Sequence, residues 1–149
     1  MKKQFLALVL LLILAATAYS AVTIGPMIHA NFGGGEVKFS GGIEAAYWDV
    51  REGPWSIDLG LEFEAEKMRL YTEFQTGIVV AGFSIGPVLE FPTGNSVGDA
   101  RLGLQSSVWG SYFAGIDVRL RYMGFGEYIL SPGVFGKYPI LTEQDGFLG

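Results

Sequence analysis

His29 is the only histidine in the chain, and cysteine is absent. Any metal site would need carboxylates beside that one ring, and any hydrolytic triad has a single possible base. Ser40, Ser84 and Glu44 lie on the same polar strand faces as His29, yet nothing in their spacing brings them together. A lone histidine outside a recognised motif is rarely catalytic, so His29 reads as structural. Glu62 and Glu64, like Glu64 and Glu66, are carboxylate pairs on one side of a strand, as glycosidase acids can be. Any polar strand face produces such pairs, and these imply no substrate cleft. Gly33-Gly34-Gly35 is followed neither by Lys-Ser/Thr nor by a helical pattern, so it reads as a hairpin tip and not a phosphate loop. The sequence presents no catalytic residue, no metal site and no cofactor site.

The elements that carry these residues are strands. From Trp55 to Ala65, Trp55, Ile57, Leu59, Leu61, Phe63 and Ala65 take one face, while Ser56, Asp58, Gly60, Glu62 and Glu64 take the other. A helix would mix the two sets on every side; only a strand separates them. The same alternation places Val22, Ile24, Ile28, Ala30 and Phe32 opposite Thr23, Gly25, Met27, His29 and Asn31. It continues through six further segments, the last from about Glu127 to Tyr138, where Pro132 and Pro139 make the pairing irregular. Short turn signals separate the segments at 33–35, 51–54, 81–82, 92–95, 110–111 and 124–126. Short links join neighbours in sequence order as an antiparallel meander, because parallel crossovers need roughly a dozen residues. An internal repeat supports the count of eight. Thr23-Ile24-Gly25-Pro26-Met27-Ile28 recurs as Ser84-Ile85-Gly86-Pro87-Val88-Leu89, with Trp48 and Trp109 ending the strand that follows each copy.

The chain of 149 residues holds one domain. Met1-Lys2-Lys3, an apolar run from Phe5 to Ala16, and small residues at Ala16-Thr17-Ala18 and Tyr19-Ser20-Ala21 predict a cleaved signal peptide over 1–20. Cleavage after Ala18 or after Ser20 fits. The apolar run is shorter than the ~20 residues a membrane helix needs. Losing Lys2 and Lys3 takes the formal charge from −5 to −7. That balance argues against a nucleic-acid partner. The absence of cysteine excludes disulfides and lipid attachment at a cysteine.

Alternation does not say which face is inside. Two features favour the apolar face outward. Glycines recur on the polar face at Gly25, Gly42, Gly60, Gly86, Gly103, Gly115 and Gly133, where a solvent-facing surface has no need of small residues. The lumen of an eight-stranded barrel does need them, being only just wide enough for side chains. The other face is aliphatic or aromatic over about ten residues per strand, the length a tilted strand needs to cross a bilayer. Tyr47, Trp55, Phe63, Phe74, Phe91, Tyr112, Tyr122, Tyr128 and Tyr138 fall near strand ends, as interfacial girdles do.

With these features the chain resembles the small eight-stranded outer-membrane barrel proteins of Gram-negative bacteria. The resemblance is one of architecture over nearly all of the mature chain. It implies an all-β, up-and-down meander barrel over 21–140, with a tail at 141–149. It also implies location in the cell outer membrane, with outer-membrane lipid and the barrel-assembly machinery as partners. Two features depart from the usual pattern: the outer loops are short, and the chain continues past Tyr138 with Phe147 near its end. In such a barrel the lumen is expected to hold Glu36, Lys38, Glu44, Asp58, Glu62, Glu64, Arg69, Glu73, Glu90, Arg101, Asp117, Arg119 and Arg121. Enclosed charges must be paired or hydrated. Acids cluster in the first half and arginines on the sixth and seventh strands, which predicts salt bridges across the lumen and a plugged interior.

The favoured function is a non-enzymatic outer-membrane barrel with a structural or surface-interaction role. Two alternatives are a soluble periplasmic barrel with its apolar face turned inward around a small hydrophobic ligand, and a lipid-modifying outer-membrane enzyme.

Overall fold

The computed structural model describes residues 21–49, 53–78, 80–94, 98–111 and 114–142. The expected signal peptide lies outside them, as do Tyr112 and most of the expected tail. The described chain forms β1 (Ala21–Gly33), β2 (Glu36–Asp49), β3 (Trp55–Glu64), β4 (Lys67–Ile78), β5 (Ala81–Pro92), β6 (Arg101–Ser111), β7 (Ala114–Tyr122), β8 (Tyr128–Gly136) and β9 (Tyr138–Thr142), with no helix among the described residues. Each of β1 to β7 pairs antiparallel with the next in sequence, and β1 pairs with β8 to close the ring. The result is a meander barrel of eight staves.

The eighth stave is made of two strands. Met27 to Phe32 of β1 pair with Leu130 to Phe135 of β8, while Ala21 to Ile24 pair with Tyr138 to Thr142 of β9. Between these ladders lie Pro26 on one side and Lys137 on the other, and Pro132 and Pro139 also lie in the stave. Proline has no N–H to donate to a ladder, which explains why the regular pattern fails here. The pairing reaches Leu141 and Thr142, two residues past the expected end of the barrel.

Two expected turns are displaced. Gly82 pairs with Gly77 and Gly110 with Ile116, so these residues extend the strands instead of turning. One rim carries the connections at 34–35, 65–66 and 123–127; the opposite rim carries both described chain ends.

The burial pattern runs residue by residue as the alternation does. Along β3, Ser56, Asp58, Gly60, Glu62 and Glu64 are buried, while Ile57, Leu59 and Phe63 are exposed. Ile28, Phe39, Ile43, Phe74, Ile85, Val108, Ile116, Leu120 and Val134 likewise point away from the barrel. The interior is mostly polar and charged, with Met27, Val88, Trp109, Met123, Ile129 and Phe135 packed among the polar groups, so an apolar lumen around a hydrophobic ligand, one of the alternatives above, does not hold.

The lumen glycines make room for large neighbours. Gly60 is paired with Tyr71, and a Cβ at Gly60 would stand 2.0 Å from the Tyr71 ring. Gly133 is paired with His29, and a Cβ there would stand 2.1 Å from the imidazole. Trp109 covers Gly82, and Phe135 covers Gly115, in the same directly opposed arrangement. Bulky side chains thus lie flat across the wall beside them, which is how a narrow interior is filled.

The two copies of the repeat fall on β1 and β5, four staves apart. Trp48 and Trp109, on β2 and β6, are also four staves apart, and they meet edge to face inside the barrel with ring centroids 5.7 Å apart.

Candidate lumen charge network

The network is built from inward positions on all eight staves. In its upper part, toward the 123–127 rim, Glu62 lies at the centre. Arg121 donates to it through Nη2 at 2.5 Å and Nη1 at 3.1 Å, and Arg69 through Nη1 at 3.1 Å. The Ser40 hydroxyl adds a fourth bond at 2.8 Å. Arg69 also donates to Glu64 at 3.0 Å and to Glu90 at 2.9 Å. Asn31 donates to Glu64 and Ser40, and accepts from Arg121. The Arg121 Nε–H donates to Gln105, whose amide in turn donates to Glu73 at 2.9 Å. Arg69, Arg121 and Glu62 are each no more than 1% exposed.

A second set occupies the lower part. Arg119 donates to Glu44 at 3.0 Å and to Asp117 at 2.5 Å, and its guanidinium lies 4.8 Å above the Tyr71 ring. The Tyr71 hydroxyl donates to Glu44 at 2.6 Å. Lys137 bridges Glu44 at 3.1 Å and Asp58 at 2.7 Å. Asp58 also accepts from Ser56 and Gln75.

His29 joins the two sets. Its Nε2 lies 3.0 Å from Asp117, and its Nδ1 faces Glu62 at 3.8 Å. The ring is buried, and its polar neighbours are acids. Ser40 donates to Glu62 and Ser84 pairs with Ser107, so the serines noted in the sequence are bonded elsewhere. No grouping of three or more potential metal ligands occurs among the described residues.

Of the thirteen residues expected in the lumen, ten are buried there: Glu44, Asp58, Glu62, Glu64, Arg69, Glu73, Glu90, Asp117, Arg119 and Arg121. Arg101 stands at the rim, where it bonds Glu90 and Glu127, each at 2.5 Å. Its hydrogen bonds hold the Glu127 carboxyl below the usual carboxylate range. Glu36 and Lys38 do not belong to the enclosed set. They sit beside the 34–35 tip, where Lys38 reaches Glu36 at 3.8 Å and Glu66 at 3.4 Å, and the Glu36 side chain is 72% exposed. Their parity is inward, but the strand has already risen past the level at which the barrel encloses them.

Sequence reasoning missed Lys137. It has the parity of Ile129, Ser131, Gly133 and Phe135, and continuing that count through the prolines would have placed it inside. The acids of the first half do face the arginines of β7: Arg121 reaches Glu62 four staves away, and Arg119 reaches Glu44.

A closed ring of eight tilted staves with apolar residues outside and paired ions inside is a known arrangement. The chain is similar to a de novo designed transmembrane β-barrel, at 14% identity over 79% of this chain and 95% of that one, with a TM-score of 0.55. It has the fold of an eight-stranded transmembrane barrel. The solution structure of the designed barrel TMB2.3 aligns with a TM-score of 0.55 at 12% identity, over 83% of this chain and 96% of that one. Neisserial surface protein A aligns at 14% identity over 80% and 97%, with a TM-score of 0.47. At these identities the likeness is one of fold. No protein-family model matches the sequence, and no curated protein matches it.

Proposed function

We propose that the protein is a non-enzymatic integral barrel of the bacterial outer membrane, with a structural or surface-interaction role in the envelope. The observation that carries this reading is the side-chain distribution. Large apolar residues such as Leu59, Ile116 and Phe74 are 52–67% exposed, while Glu62, Arg69 and Arg121 are enclosed. In water such a surface would drive aggregation, whereas in lipid it is the favourable face. A closed barrel also pairs its backbone polar groups between strands, which a bilayer requires.

The dimensions agree. On β2 the outward aromatics Phe39 and Tyr47 lie eight residues apart, as do Trp55 and Phe63 on β3. At ~3.4 Å per residue and a tilt of ~40°, eight residues span about 21 Å along the barrel axis, close to the ~25 Å apolar band of outer-membrane barrels. Tyr47, Trp55 and Phe74 pack together at one end of that band, and Tyr122 and Tyr128 at the other.

Outer-membrane lipid is the partner this surface fits, and insertion would require the barrel-assembly machinery. The acidic balance gives nucleic acid nothing to bind. The enzyme alternative draws no support from His29, whose ring is enclosed between Asp117 and Glu62 beyond the reach of lipid outside the wall. Fractionation tests the proposal: the mature protein should stay with outer membranes through osmotic shock and carbonate washing, and should migrate on gels as a compact, heat-modifiable species. Release by osmotic shock without detergent would overturn it.

A further inference from the structure

Phe125 is 107% exposed, more than any other large apolar side chain among the described residues. It is also the only non-glycine described residue with positive φ, at 51°, between Gly124 at 84° and Gly126 at 79°. Bulky residues avoid this conformation, and a backbone held in it calls for a reason. The turn is fixed: Met123 N–H donates to Glu127 O and Glu127 N–H to Gly124 O, each at 3.0 Å, and the Glu127 carboxylate is clamped by Arg101. A rigid turn therefore holds an unpartnered phenyl ring away from the protein.

Directly below this turn stand Tyr122 and Tyr128, paired across β7 and β8, both facing outward, with ring centroids 5.0 Å apart. Phe125 is three residues from each. At ~3.4 Å per residue and a ~40° tilt it stands at most about 8 Å above them. The headgroup layer between a ~30 Å hydrocarbon core and a ~40–45 Å bilayer is roughly 5–8 Å thick on each side.

We propose that Phe125 is an interfacial anchor. Its ring enters the headgroup boundary of the leaflet at the 123–127 rim and continues the Tyr122–Tyr128 girdle upward. This inference rests on the membrane reading above. The occupant is the lipid surface itself: the girdle is continuous with the turn, the depth matches, and a phenyl ring offers hydrocarbon with no polar group for water. Gly124 and Gly126, both at positive φ, let the chain reverse tightly on either side of the exposed ring.

The test is depth-resolved fluorescence. Trp48 and Trp109 face the lumen, so Trp55→Phe removes the outward-facing native tryptophan. The Trp55→Phe protein and the Trp55→Phe/Phe125→Trp protein are refolded into phosphatidylcholine vesicles carrying bromine either near the headgroup or near the chain end. The added indole should be quenched several-fold more by shallow bromine than by deep bromine, and should resist aqueous iodide. Iodide quenching with no response to either bromine would overturn the anchor and leave Phe125 available to a soluble partner. Failure of the wild-type protein to insert at all would instead count against the membrane reading, and the anchor would fall with it.

Discussion

Arg121 on β7 grips Glu62 on β3 from four staves away, with its Nη2 2.5 Å from the carboxylate. The two residues are separated by 59 positions in sequence, and their pairing fills the middle of the barrel. Removing the guanidinium leaves a buried carboxylate short of partners, and such a loss typically costs about 3–5 kcal/mol. Arg121→Met should therefore lower stability strongly in urea unfolding from vesicles, whereas Glu62→Gln/Arg121→Met should cost less than the two single changes added together. Strict additivity would show that the two groups do not act on each other.

The pairing of Gly60 with Tyr71 gives a steric prediction. Gly60→Ala puts a methyl into the space of the ring, and overpacking of this kind costs about 1–3 kcal/mol where neighbours can shift. Here the ring is also fixed by its bond to Glu44. The folded, heat-modifiable fraction should fall in Gly60→Ala and recover in Gly60→Ala/Tyr71→Leu. Equal folding of the wild type and Gly60→Ala would contradict the close contact.

Most of this architecture was legible because a strand in a two-sided environment writes its environment into alternate residues. Asp58, Glu62 and Glu64 were assigned to one face together, and Gly60 among them indicated a crowded interior. The antiparallel order followed from short links. What periodicity does not encode is height along the barrel axis. Glu36 and Lys38 share the parity of Ser40 and Glu44 but lie at the open rim. The closing stave was obscured because Pro132 and Pro139 interrupt its pattern, and Lys137, the cation for Glu44 and Asp58, sits between them. The partner of a given charge was also beyond the sequence: whether Arg119 meets Glu44 or Glu62 depends on the stagger of staves three and four apart.

The rim ion pair makes a pH prediction. Glu127 lies outside the spanning strands, and Arg101 holds its carboxyl below the ordinary value. A depressed folded-state pKa contributes stability that is present above the unfolded value of ~4.3 and lost as pH falls through the folded one. The Glu127 carboxyl carbon should titrate in NMR with a midpoint below ~4.3, and Arg101→Gln should move that midpoint upward. An unchanged midpoint would show that the pair does not persist in solution.

The packed lumen bears on transport. Arg121–Glu62 and Arg119–Glu44 cross it at two levels, so the refolded protein should give no defined single-channel steps in planar bilayers and no swelling of sugar-loaded liposomes. A reproducible unit conductance would contradict a plugged interior.

The central claim is that the apolar face meets hydrocarbon while ions fill the middle. The protein has no cysteine, so one spin label can be attached cleanly at Leu59→Cys or at Ile116→Cys and its collisions measured in vesicles. High collision rates with oxygen and low rates with a water-soluble nickel complex are expected at both sites. Labels there that meet the nickel complex freely, or that are shielded from both reagents in a dry packed centre, would contradict the account.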